Sequence, residues 1–292
     1  MVSLPPPTSA PAGWYPDPSG VGQRYFDGRA WVAQHPGFAE PEEHPSLPLS
    51  AALGALLVLV VSLIAGKVLV DRLTRYDWPV MVYVVILAVI GYGPSLAWGA
   101  HVRRRWGSSR LTSLGWRFRW ADLGWGPLTW LGAIGTQLVL ASIVLIFDIP
   151  LSSNVDSASD LDADRAYLVA TLVTAVIAAP IIEELVFRGL VLRGLLSRMR
   201  PTFAIAAQGV LFGVAHADPV RGAGNIGLVF VLSGVGVAFG VSAYLARRLG
   251  PTVIAHAIFN GVVMVIVLSG VLDDVETDFG ALIAMFATIA GG

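Results

Sequence analysis

Apolar residues come along this chain in long unbroken blocks, with no period-two alternation to suggest sheet. The blocks lie near residues 49–70, 78–100, 125–147, 166–197, 202–217, 226–246, 251–271 and 279–291. A hydrocarbon core of about 30 Å takes about 20 helical residues to cross, so eight transmembrane spans are predicted, the fifth and eighth short enough to tilt or re-enter. The loops between them alternate in charge. Arg103, Arg104, Arg105, Arg110, Arg117 and Arg119 follow the second span, Arg198 and Arg200 the fourth, Arg247 and Arg248 the sixth. Asp156, Asp160, Asp162 and Asp164 precede the fourth span, and Asp273, Asp274, Glu276 and Asp278 follow the seventh. Cationic loops stay on the cytoplasmic side, which predicts a multi-pass cell-membrane protein with both termini cytoplasmic.

Residues 1–48 are polar and rich in proline, and they lack the apolar core of a secretory signal. Within them Gly13-Trp14-Tyr15-Pro16-Asp17-Pro18, the Gly20-Val21-Gly22 turn, Arg24-Tyr25-Phe26, Asp27-Gly28 and Trp31 combine aromatic runs with turn signals. That pattern predicts two or three short strands over about residues 12–35, followed by a Pro-rich linker at 36–48. The segment resembles a short Trp-rich module of unknown function found at the ends of many bacterial membrane proteins. So small a unit has little core, and the expectation is a regulatory element or one that docks a protein partner, rather than chemistry. The fold class expected is therefore all-α: a polytopic transmembrane bundle of about eight helices over 49–292, with a small β-type cytoplasmic module ahead of it.

Composition narrows the chemistry. The chain is 55% hydrophobic and 13% charged, with a mean hydropathy of +0.70, so lipid is its solvent. A net charge of -1 argues against nucleic acid, whose phosphates demand a clustered basic surface. The absence of cysteine excludes disulfides, thiolate metal sites and a cysteine nucleophile.

The fourth span contains Ala179-Pro180-Ile181-Ile182-Glu183-Glu184-Leu185-Val186-Phe187-Arg188. A charge at mid-membrane costs about 2.5–3.5 kcal/mol, so such residues face the bundle interior and serve a function. Glu184 and Arg188 are four positions apart, acid first, the spacing of a helical ion pair. Glu183 is turned about 100° away, free to face a cavity, and Pro180 removes a backbone donor and predicts a kink just before the acids. The fifth span ends in Phe212-Gly213-Val214-Ala215-His216, and the seventh carries His256-Ala257-Ile258-Phe259-Asn260, which puts His256 and Asn260 on one helical face. Taken singly, each has a plain structural alternative: a charge cluster holding helices together, a satisfied helix-end histidine, an interhelical hydrogen bond. Counting rise per residue, Glu183 lies about 22 Å from Arg198 and His216 about 21 Å from Thr202, but His256 only about 8 Å from Pro251. A single site requires the seventh span to start deeper than its apolar block suggests.

Glu-Glu-x-x-x-Arg, Phe-x-x-x-His and His-x-x-x-Asn, in that order on successive membrane helices, resemble the CAAX protease and bacteriocin-processing family of intramembrane proteases over about residues 165–270. The resemblance implies that Glu183 activates water with help from His216, that His256 and Asn260 complete the site, and that Glu184 and Arg188 support it. The substrate expected is a membrane-associated peptide or protein. Two chemistries stay open: a glutamate-only mechanism, and a zinc site with Glu183, His216 and His256 as candidate ligands. A proton-coupled transporter is the rival class, favoured by the glycine-rich sixth span with Gly234, Gly236 and Gly240 but lacking the internal repeat such folds show; a non-proteolytic scaffold or immunity protein is the third.

Overall fold

The computed structural model describes residues 11–16, 23–31, 47–107, 111–152 and 165–268. It divides into two compact units, Met1–His44 and Pro45–Gly292. The expected eighth span at 279–291, both acidic loops and most of the linker lie outside the described residues.

The first unit contains an antiparallel hairpin, β1 (Gly13–Pro16) with β2 (Gln23–Phe26), in the register Gly13 opposite Phe26. Phe26 pairs once more with Trp31, which supplies the third short stretch. Tyr15, Phe26 and Trp31 meet edge-on or tilted, with ring centroids 5.4–6.4 Å apart, and form the small apolar centre. Asp27 closes the turn by accepting the Arg29 and Ala30 amides, each at 2.7 Å. Those two bonds hold its carboxyl below the usual 3.8.

The second unit is helical. Its helices are α1 (Leu49–Leu73), α2 (Val80–Trp106), α3 (Asp122–Ile146), α4 (Arg165–Val173), α5 (Ala179–Glu184), α6 (Leu192–Leu196), α7 (Pro201–Ala215), α8 (Asn225–Ala246) and α9 (Gly250–Leu268). α4, α5 and α6 are one continuous rod, joined by π-helical turns at Thr174–Ala178 and Leu185–Val191. Five rods are long and apolar enough to cross a membrane, and α7 and α9 are shorter apolar helices. Leu57, Ile64, Val89, Ile146 and Leu245 are more than half exposed, an arrangement that water would penalise and acyl chains satisfy. The chain is a membrane protein.

Two features of this bundle position the site. α7 and α8 approach closely because their contact is made of glycine: a Cβ on Gly236 would lie 2.9 Å from the Cα of Gly209, so the Gly236-x-x-x-Gly240 spacing works here as close-approach chemistry. α9 starts inside the protein, with Leu249, Gly250, Pro251 and Thr252 all buried. The turn from α8 to α9 is packed within the protein, and His256 reaches Glu183 despite the depth mismatch that residue counting gives.

Candidate active site

The π-helical turns sit on either side of the two glutamates. A proline cannot donate to the ladder, and its ring crowds the carbonyl four residues earlier; the widened turn at Thr174–Ala178 relieves that crowding just before Pro180. π-turns free backbone carbonyls, and one of these, Ala175 O, accepts the Asn260 amide at 2.8 Å. Asn260 is thus tied to the rod that carries Glu183, two turns upstream of it. Its Oδ1 is buried without a hydrogen-bond partner among the described residues.

Arg188 lies in the second π-turn with its side chain sealed from solvent. It donates to Glu184 Oε1 at 2.8 Å and to the Gly236 carbonyl at 3.2 Å. Three rings enclose its guanidinium, those of Phe212, Phe239 and Phe187, at 4.5, 5.2 and 5.9 Å. A charge this deep is tolerated only when paired and hydrogen-bonded, and here the counter-ion, the carbonyl and the π-faces meet both conditions.

Glu184 in turn anchors a histidine. His256 donates from Nδ1 to Glu184 Oε1 at 3.0 Å, and Thr252, one turn earlier on the same face of α9, borders that carboxylate. His216, at the end of α7, donates from Nδ1 to the Phe212 carbonyl at 2.7 Å. Each imidazole is held from behind, which turns its Nε2 toward the remaining acid. Glu183 Oε2 is 3.7 Å from His216 Nε2 and 3.9 Å from His256 Nε2. These gaps are too long for direct hydrogen bonds, and Glu183 Oε2 has no hydrogen-bond partner among the described residues.

The site is graded in exposure. Glu183 and His216 side chains are 14% and 13% exposed, against 3% for His256 and none for Glu184. Glu183, Glu184, Arg188, His216 and His256 therefore form one connected cluster, with Glu183 and His216 on its open side. Asn260 joins from behind through the Ala175 carbonyl.

Several participants had no signal in the sequence. Phe239 and the Gly236 carbonyl come from α8, whose apolar run marks neither, and the Ala175 carbonyl is available only because the helix widens. Tyr92 of α2 rests on the core that holds Ile182 and Leu185 and lies within electrostatic reach of Glu183; it reads as one more aromatic in a span. Among the described residues no three His, Asp or Glu side chains close into a ready metal cage.

Residues 12–44 match a family of unknown function, DUF2510. No curated protein and no solved structure matches the chain. The cluster just described falls within residues 165–262, which match the family described as type II CAAX prenyl endopeptidase Rce1-like. The rod bearing both glutamates, the helix end bearing His216 and the helix bearing His256 and Asn260 thus all lie within the stretch that is similar to Rce1-like endopeptidases.

Proposed function

We propose that the chain is an intramembrane endopeptidase that hydrolyses a peptide bond of a membrane-associated protein or peptide, with Glu183 as the water-activating base. One observation carries this reading. Glu183 Oε2 and two imidazole Nε2 atoms face one another across 3.7 and 3.9 Å. With both Nδ1–H groups committed elsewhere, Glu183 Oε2 and His216 Nε2 present lone pairs to one point and need a donor between them. A water donating to two acceptors about 2.8 Å away spans such a gap.

In this scheme the Glu183 carboxylate takes a proton from that water as its oxygen adds to the scissile carbonyl. The same carboxyl then passes the proton to the departing amine. His216, fixed by the Phe212 carbonyl, orients the water. Glu184 stands behind His256 as a carboxylate stands behind the histidine of a catalytic triad, so that a proton on Nε2 points at the developing oxyanion. Arg188 keeps Glu184 ionised and fixed, and Asn260 holds the widened turn that sets the direction of Glu183.

The donor set also fits zinc in kind. Two imidazoles with Nε2 free plus a carboxylate are common ligands, and a histidine held at Nδ1 by an acceptor is oriented as metal-bound histidines are. The separations exceed by a few tenths of an ångström the roughly 3.3 Å edge of a tetrahedron with bonds of about 2.0 Å, so binding would require a small contraction. A bound zinc would polarise the scissile carbonyl.

The test is cleavage of a membrane-tethered reporter by the full chain in proteoliposomes. Glu183→Gln is expected to lower kcat by about 10²–10⁴ with unchanged folded yield; full activity in that variant removes the base assignment. Chelator treatment with metal analysis separates the two chemistries, since only a zinc enzyme loses activity and regains it when zinc is returned. Solute movement across the vesicles without any cleavage would favour a transporter instead.

A further inference from the structure

Away from the acids, α3 and α8 part to leave a cavity of about 810 Å³ lined by Trp125, Gly132, Thr136, Val241, Leu245 and Arg248 among others. Its walls are largely apolar, and a Thr129–Ser242 hydroxyl contact at 2.7 Å stitches them together. A side chain at Gly132 would meet no atom within 4 Å. From Trp125 to Thr136 the groove runs eleven residues, about 16 Å at helical rise, close to the roughly 15 Å depth of one leaflet. Trp125, Leu128 and Leu245 are all more than half exposed along it.

The two ends differ in chemistry. Thr136 and Gly234 are at the inner end. At the outer end Arg248 bonds Asp122 through both Nε and Nη2, and the Arg119 amide bonds the other oxygen of that carboxylate at 2.9 Å. Among the described residues this junction brings Arg119 and Arg248 to Asp122. The Arg119 side chain is exposed, and Trp120 beside it is 89% exposed, as indoles are at a membrane interface.

We propose that this groove retains one anionic glycerophospholipid from the bilayer, an acyl chain lying between α3 and α8 and the phosphate-bearing headgroup at the arginine junction. Length fits an acyl chain, because the groove from Trp125 to Thr136 runs about the depth of one leaflet. Charge decides for an anionic headgroup, because Arg248, which lines the groove, and the exposed Arg119 both stand at its interfacial end, the placement by which basic pockets between membrane helices hold acidic lipids. The inference needs only the membrane setting and stands apart from the hydrolytic reading of Glu183.

The experiment reconstitutes the full chain in nanodiscs of equal phosphatidylglycerol and phosphatidylcholine, extracts it into mild detergent and identifies retained lipid by native mass spectrometry. Phosphatidylglycerol is expected to stay bound in preference to phosphatidylcholine, at one per chain. Arg119→Gln is expected to reduce that preference about fivefold, the share of one arginine at an anionic surface. Gly132→Leu and, from the opposite wall, Val241→Trp are each expected to abolish retention, while Gly132→Ala keeps it; two occluding variants guard against one that fails to fold. Equal retention of both lipids, undiminished retention in a folded occluded variant, or a dimer that covers the groove would each overturn the proposal.

Discussion

Replacing Arg188 with methionine tests the arrangement at its most buried point. The side chain to be removed makes one ion pair at 2.8 Å, one carbonyl bond at 3.2 Å and three ring contacts, all without solvent. Methionine fills much of the volume, so the loss comes from stranding Glu184, which costs about 3–5 kcal/mol when one partner of a buried pair is deleted. At about 2–4 °C per kcal/mol for a chain of this size, the midpoint should fall by roughly 10 °C. Adding Glu184→Gln restores most of this: the stranded charge is gone, and the glutamine oxygen still accepts from His256 Nδ1. The single and double variants, melted in detergent and followed by tryptophan fluorescence, form a cycle whose coupling should reach about 2–3 kcal/mol. Additive losses, or an Arg188→Met midpoint within 2 °C of the parent as a rough experimental bound, would refute the claim that Arg188 exists to compensate Glu184.

Four further outcomes follow from the geometry. His256→Ala should lower kcat by about 10²–10³ with little change in KM, the cost of one oxyanion donor, and an effect confined to KM would remove it from that role. Asn260→Ala should destabilise by about 1–3 kcal/mol by leaving the Ala175 carbonyl unpaired, and Asn260→Asp, which keeps size but not the donor, should not rescue it in a melting assay. Tyr92→Phe should change the pH profile of cleavage while leaving the melting midpoint in place, if the hydroxyl acts on Glu183; an unchanged profile would show it to be simple packing. Asp27 is depressed below 3.8 by the Ala30 and Arg29 amides, so its contribution to the hairpin is fully present above 3.8 and is lost as pH falls through the lower folded value. Amide NMR signals of Ala30 and Arg29 in the full chain should hold their positions down through 3.8 and move only below it.

The sequence exposes what rests on local spacing. Apolar blocks place five long rods and two short ones, because each needs about 20 residues for lipid and little else. Glu184 and Arg188 declare themselves by an interval of four, and turn signals at Asp27-Gly28 mark the hairpin. Contacts between distant segments stay hidden. No spacing rule leads from Arg188 to the Gly236 carbonyl or to Phe239, and Tyr92 looks like any interfacial aromatic. Helical counting also misjudges His256: a count from Pro251 sets it shallower than Glu183, yet the two meet across 3.9 Å. The widened turns escape a pattern reading altogether, since that reading takes 3.6 residues per turn throughout.

Those widened turns make the site a matter of phase as well as of spelling. Each π-turn takes up more chain per revolution than an α-turn, so suppose that Leu185–Val191 rewound to α-helix at unchanged length. The two pieces would then rotate against each other by about 100°. Every acid, base and amide would remain in the text of the protein while the carboxylates pointed at different neighbours. A substitution that restores α-helical winding without changing the length of the rod is therefore expected to be more damaging than most others along it, because it would keep the vocabulary of the site and lose its syntax.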